Sequence, residues 1–164
     1  MNDLLLHPGV ILGVLGVLGA ICVVALLRLR EPPPPYEKRD SLLTHSELKF
    51  YGVLQEANKG LTICSMVRIA DLIRVRQQAP KQQAWRNRIL AKHIDFVLCD
   101  PETMEARLAI ELDDRSHERP DRVERDRFVN SALSAAGLPL LRVPVRDEYD
   151  ARELRKSIRK QLEA

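Results

Sequence analysis

Cysteine is scarce in this chain, and its three positions, Cys22, Cys64 and Cys99, share no spacing that would make a zinc site or a disulfide framework. Free thiols of this kind suit a reducing cytoplasm. Charge is absent from Gly9 to Leu27, where every residue is apolar or small. About 20 such residues, rising 1.5 Å each, cross a ~30 Å hydrocarbon core, so the run reads as one transmembrane helix. A cleaved secretory signal would carry positive charge ahead of the run and small residues behind it, whereas Asp3 precedes it and Arg28 and Arg30 follow. By the positive-inside rule those arginines put the short N-terminus outside and the rest of the chain in the cytoplasm. Acid is absent between Asp71 and Asp95, and internal repeats are absent throughout. The net charge of +3 is too small to imply a partner by itself; its distribution says more.

What is present divides the chain into an anchor over residues 1–30, a linker over 31–41 and a domain over 42–164. Pro32 to Pro35 favour an extended polyproline spacer that holds the domain off the bilayer. Gly9-x-x-x-Gly13 matches a close helix-packing motif and makes a homodimer through the membrane helix one reading, with ordinary membrane glycine usage as the other. Thr44-His45-Ser46-Glu47 has the form of a capping box, and Leu48, Tyr51, Val53, Leu54 and Ala57 follow at helical spacing until Gly60. Leu61 to Val67 reads as a strand, and a helical insert interrupted by Pro80 leads to a second helix over Gln82 to Ala91. Pro120 suits the first turn of a helix with a stripe of Val123, Phe128, Ala132, Leu133 and Ala136, stopped by Gly137 and Pro139. Leu140 to Val143 reads as a last strand. Leu154, Ile158 and Leu162 line one face of a terminal helix. The order is helix, strand, helical insert, strand, strand, helix, strand, helix, which predicts a mixed sheet with helices on both faces.

The runs His93 to Cys99 and Ala106 to Asp113 carry the chemistry. Asp100-Pro101-Glu102-Thr103 between them has turn composition, so they read as an antiparallel hairpin. With Cys99 opposite Arg107, Asp95 falls opposite Glu111, and the period of two puts Asp113 on the same face. Like charges directly opposed are unfavourable and more so when desolvated, so three acids in one patch call for a cation. A divalent metal, Mg²⁺ or Mn²⁺, is the simplest candidate, with Asp95, Glu111 and Asp113 as its ligands. His117 at the strand exit is suited to act as acid or base near neutrality. Arg125, in the helix that follows, would steady a phosphate or balance Asp113. Lys92, three residues before Asp95, is near enough to reach back toward the site, although parity places it on the other face of a regular strand, and Arg142 either closes over the site from the last strand or simply flanks a strand end.

These residues resemble a family. Leu43-Thr44-x-x-Glu47-x-x-Phe50, Lys92-His93-x-Asp95-Phe96-Val97, Ile110-Glu111-Leu112-Asp113-Asp114-x-x-His117, Arg125-Asp126 and Gly137-Leu138-Pro139-x-x-Arg142 are similar to the bacterial domain-of-unknown-function family 2726. That family is grouped with the restriction-endonuclease-like PD-(D/E)XK nucleases, and several of these residues also resemble very-short-patch-repair-like endonuclease domains. The resemblance implies an α-β-β-β-α-β core, a bacterial inner-membrane setting for the anchor, and Mg²⁺-dependent hydrolysis of nucleic-acid phosphodiesters. It puts Asp95 and Glu111 on the metal. The superfamily pattern has a lysine two positions after the glutamate, where this chain has Asp113. The resemblance also gives Glu47 a place at the metal in some relatives, while the capping box explains the same residue.

The acid-free stretch bears on the ligand. Arg74, Arg76, Lys81, Arg86, Arg88 and Lys92 all fall within it, with Trp85 among them. Such cations contact phosphate oxygens without reading sequence, and an exposed tryptophan stacks on a base, which predicts a DNA- or RNA-binding surface. The plainer reading is a basic helix that packs Trp85 and Ile89 into the core or faces anionic lipid.

Overall fold

The computed structural model describes residues 8–28, 33–113 and 120–163. Two units result, Met1–Arg39 and Asp40–Ala164. The first contains α1 (Pro8–Arg28), whose Pro8–Leu26 stretch has a mean hydropathy of 2.8 and is long and apolar enough to cross a membrane.

The second unit opens on α2 (His45–Ala57) because the capping box forms. Glu47 Oε2 accepts from the Thr44 N–H at 2.7 Å, and Thr44 Oγ1 accepts from the Glu47 N–H at 3.3 Å. Next come β1 (Thr62–Arg68), the single turn α3 (Ile69–Leu72), α4 (Gln82–Leu90), β2 (His93–Cys99) and β3 (Ala106–Asp113). The unit ends with α5 (Pro120–Ala135), β4 (Leu140–Pro144) and α6 (Ala151–Leu162). The strands stand in the order β1-β2-β3-β4, antiparallel in the first two pairings and parallel in the last. This is the mixed sheet that the order of elements predicts.

Each face of the sheet buries its own core. On one, Phe96, Leu98, Leu108 and Ile110 meet Phe50 and Leu54 of α2 and Leu154 and Ile158 of α6. On the other, Val97, Cys99 and Ala109 meet Ile69, Ile89 of α4, and Val129 and Leu133 of α5. Each fully buried Phe, Leu or Ile contributes about 1.5–3 kcal/mol, so both helical layers are held by the strands' alternation. The α5 stripe differs from the expected one: Val129 and Leu133, four residues apart, are fully buried, while Val123 is 45% exposed. In α4, Ile89 is buried but Trp85 remains 44% exposed and is not part of the core. Leu162, in the last turn of α6, is exposed as well.

The hairpin turns on Asp100, whose Oδ1 accepts from the N–H groups of Glu102 and Thr103 and from the Thr103 hydroxyl. Phe96 faces Ile110 and Leu98 faces Leu108; the ladder ends at the first of these pairs, with Asp95 and Glu111 the next residue on each strand. The expected Cys99–Arg107 pair does not form, because a bulge between Leu98 and Cys99 sets Cys99 against Ala106. Parity slips at the other end of β2. Ile94 and Val97 pack into the same core, as do Cys64 and Val67 of β1. Met66, between these last two, has φ +55, a left-handed backbone that turns the strand locally. Lys92 therefore shares a cleft with Asp95 rather than lying on the opposite face.

Gly137, at φ +74, closes α5 in a Schellman motif: its N–H donates to the Ser134 carbonyl and the Leu138 N–H to the Leu133 carbonyl, both at 3.0 Å. A Cβ at Gly137 or at Gly52 in α2 would meet nothing within 4 Å, so backbone preference alone separates the two positions. Gly137→Ala is expected to destabilise the domain by about 1 kcal/mol, and Gly52→Ala to stabilise it by about 0.5–1 kcal/mol. Urea unfolding of the detergent-solubilised chain, followed by Trp85 fluorescence, checks both signs.

Candidate functional site

Two clefts meet at Asp95 and Arg125. The first, about 580 Å³, is lined by Thr44, Ser46, Glu47, Asp95, Glu111, Leu112, Asp113, Arg125, Asp126 and Val145. Five of those residues are carboxylates and one is a cation. Strand alternation puts Glu111 and Asp113 on the α5 face of β3, while α2 brings Glu47 to the rim through the side chain that also caps its helix.

Where β2 and β3 separate, Asp95 Oδ2 accepts a hydrogen bond from the Leu112 N–H at 2.8 Å. Burial raises the Asp95 carboxyl above the usual carboxylate range, the Leu112 hydrogen bond opposes that, and the charges of Glu47 and Asp113 reinforce it. Glu111 is the one buried charged residue among the described residues, at 5% exposure. Its carboxyl is pushed up to about 7, by burial first, with Arg142 and Arg125 opposing and Asp95 and Asp113 adding to the rise. Glu111 Oε1 is buried and has no hydrogen-bond partner.

Among the described residues, Arg142 of β4 is the cation that ion-pairs with Glu111 and Asp113. Parallel pairing sets Glu111 beside Arg142. The guanidinium reaches across β3: Nη1 donates to Asp113 Oδ1 at 2.6 Å, and Nε donates to Asn130 Oδ1 at 3.0 Å. Nη2 lies 3.2 Å from Glu111 Oε2 and 3.5 Å from Asp126 Oδ1, within ion-pairing distance of both but in line for a hydrogen bond to neither. The fork of the guanidinium suits this many oxygens at once. Asp126 and Asn130, four residues apart on α5, form the other side of its socket.

The three-acid patch of the sequence reading is thus altered in one respect. Asp113 is engaged by Arg142, and among the described residues no three His, Cys, Asp or Glu side chains are grouped closely enough to enclose a metal ion. Mg²⁺ needs no such cage, since one or two carboxylates and several waters hold it. Asp95 and Glu111 fit that requirement, Glu111 Oε1 being a buried oxygen without a partner. His117 and Asp114 lie outside the described residues. Arg125 is exposed and lines both clefts.

The second cleft, about 450 Å³, is lined by Met66, Arg88, Ala91, Lys92, His93, Asp95, Glu124, Arg125 and Phe128. Of the seven residues predicted to bind nucleic acid, Arg88 and Lys92 line it, and Trp85 stands beside it with the Arg88 guanidinium 5.4 Å from its ring. Arg74 and Arg86 line a separate cleft with Arg68 and Asp71. Lys81 caps α4 from a left-handed backbone, and Arg76 is exposed in the loop before it. Sequence reasoning missed Phe128 as a member of the cleft, having assigned it to the core stripe, and missed Asn130 as a partner of Arg142. The spacing of Asp126 and Asn130 was the available signal for the second.

An α/β domain with an acidic cleft at the splay of two central strands is the class that fold and site define. A family model described as a protein of unknown function, DUF2726, matches residues 39–162, and the chain belongs to that family. Neither the curated proteins nor the solved structures hold a significant match to it.

The elevated Glu111 carboxyl makes stability depend on pH. The unfolded chain loses this proton near 4.5 and the folded one near 7, so in metal-free buffer stability falls as pH rises through that window. The loss amounts to about 3 kcal/mol by pH 8, from 1.36 kcal/mol per pH unit. Urea midpoints at pH 5 and pH 8 are expected to show this fall in the parent chain, and Glu111→Gln to flatten it.

Proposed function

We propose that the domain is a Mg²⁺- or Mn²⁺-dependent nuclease of the restriction-endonuclease-like class, hydrolysing nucleic-acid phosphodiester bonds. The observation that carries this reading is the partnerless, buried Glu111 Oε1 beside Asp95 in a cleft where acids outnumber cations. The order α2, β1, β2, β3, α5, β4, with α3 and α4 as an insert, supports the α-β-β-β-α-β assignment. The apolar α1 and the arginines after it support a single-pass anchor in the inner membrane with the domain in the cytoplasm. Gly9 and Gly13 would allow close pairing of two such helices.

Asp95 and Glu111 would hold the metal, with the Leu112 carbonyl as a further oxygen. When bound, the ion supplies a Lewis acid to the phosphoryl oxygen and an acidified water. Asp95 is oriented for its part by the Leu112 N–H. Arg142 keeps Glu111 and Asp113 aligned through β4, and so positions the glutamate without taking Oε1. Arg125 would bind a phosphate oxygen and balance charge that grows on it. His117 is assigned the proton transfers that the superfamily's lysine would assist, the position of that lysine being filled by Asp113.

A second reading keeps the fold and omits hydrolysis. It rests on Arg142, which compensates part of the acidic patch without any ion and would let the domain persist as a nucleic-acid-binding or regulatory module. Cleavage assays on the detergent-solubilised chain separate the two. With single-stranded DNA, duplex DNA and RNA, in Mg²⁺ or Mn²⁺, the parent is expected to cut at least one form. Asp95→Ala and Glu111→Ala should each lower the rate by more than about 100-fold, since even outer-shell losses at metal sites reach that scale. Absence of metal-dependent cutting across all three substrates overturns the nuclease reading.

A further inference from the structure

The second cleft gathers positive charge as the first gathers negative. Arg88 lies 4.1 Å above the Phe128 ring, Lys92 Nζ lies 5.1 Å from the same ring, and Lys92 Nζ donates to the Arg88 carbonyl at 3.0 Å. Aromatic faces hold cations by their negative quadrupole, and here one ring holds two. Arg125 and His93 line the same space. Glu124 lies 4.0 Å from Arg88, and its side chain is 80% exposed, so it compensates little. With Asp95 also in the lining, three permanent cations face two acids, and the surplus of positive charge is one that an entering anion would balance. The cleft is contiguous with the acidic one through Asp95 and Arg125.

We infer that Arg88, Lys92 and Arg125 form a metal-independent phosphate subsite that seats the backbone phosphate next to the one presented to Asp95 and Glu111. The inference rests on the nuclease reading for its ligand, a nucleic-acid strand, and deepens it in two respects. It narrows the seven predicted contact residues to two, Arg88 and Lys92, joined by Arg125, with Phe128 as the platform that preorganises the cations. It also separates the roles of the clefts: strand binding belongs to the basic one and proceeds without a divalent ion, while the acidic one needs the ion. Met66, strained at φ +55 on the floor of the basic cleft, is part of the same local departure from regular strand geometry.

The test is binding of fluorescein-labelled single-stranded and duplex DNA and RNA to the detergent-solubilised full chain in EDTA, across a salt series. Arg88→Gln/Lys92→Gln is compared with Arg152→Gln/Lys156→Gln, which removes the same charge from the exposed face of α6. The parent is expected to bind, the cleft pair to weaken binding at least tenfold at low salt, and the log–log salt slope to shrink by about 1.5–2 for two lost phosphate contacts. The α6 pair should stay within about twofold of the parent. Arg88→Lys, which keeps the charge and loses the flat stack on Phe128, should fall between parent and double variant, and it serves as the probe if the double variant fails to fold. No binding in EDTA, or equal losses from the two pairs, overturns the subsite. So does retention by anionic phosphatidylglycerol vesicles that the cleft pair abolishes while nucleic acid goes unbound, since the cleft would then be a lipid contact. The outcomes keep the two claims apart: binding lost in the cleft pair with no cleavage in the parent sinks the nuclease reading and leaves the subsite standing. Cleavage and binding both unchanged in the cleft pair do the reverse.

Discussion

The guanidinium of Arg142 is the contact on which the acidic cleft depends. It projects from β4 over β3 and touches Asp113, Glu111, Asp126 and Asn130, so a single side chain fastens the parallel strand pair to α5. The acids it joins are mostly buried, and opening such a pair by removing one partner costs about 3–5 kcal/mol because a desolvated charge is stranded. A lysine would reach one or two of these oxygens as a point charge, whereas the planar fork serves β3 and α5 together. The arrangement decides which acids remain for other work. Asp113 and the Oε2 of Glu111 are engaged, and Asp95 and the Oε1 of Glu111 are left at the splay of β2 and β3.

Glu111 shows how the protein manages the excess of acid. With its carboxyl raised to about 7, it holds a proton for part of the time near neutrality, and burial is the main cause. A hard cation at Asp95 and Glu111 would take the place of that proton. The adjoining cleft solves the opposite problem by spreading Arg88 and Lys92 over an aromatic face. The proposed nuclease uses both surpluses, an acidic one for the ion and a basic one for the strand, with Arg125 on the border between them.

Much of the fold was legible because local signals agreed with the global pattern. The capping box at Thr44, the stop at Gly137, the Asp100 turn and the alternation along β2 and β3 all form as their residues predict. Asp95 and Glu111 do line one cleft, although the β2–β3 ladder ends at Phe96 and Ile110, just before them. Two features were not legible. The bulge beside Cys99 and the left-handed Met66 are departures that no periodicity announces, and Met66 lines the same cleft as Lys92. The compensation of two of the three acids, Glu111 and Asp113, by an arginine about thirty residues further on is a tertiary event. Sequence spacing showed that a cation was needed and left Arg142 two roles, closing over the site from the last strand or flanking a strand end; its contacts with Glu111 and Asp113 select the first.

Asp95 and Glu111 are proposed to form a divalent-cation site that exchanges a proton for the ion. Calorimetric titration of Mn²⁺ into the full chain at pH 6.5, repeated in two buffers of different ionisation enthalpy, measures stoichiometry and proton release together. One site, release of about one proton on binding, and loss of the site in Glu111→Gln are expected. Binding that releases no proton and survives Glu111→Gln, or no binding at all, would contradict the proposal.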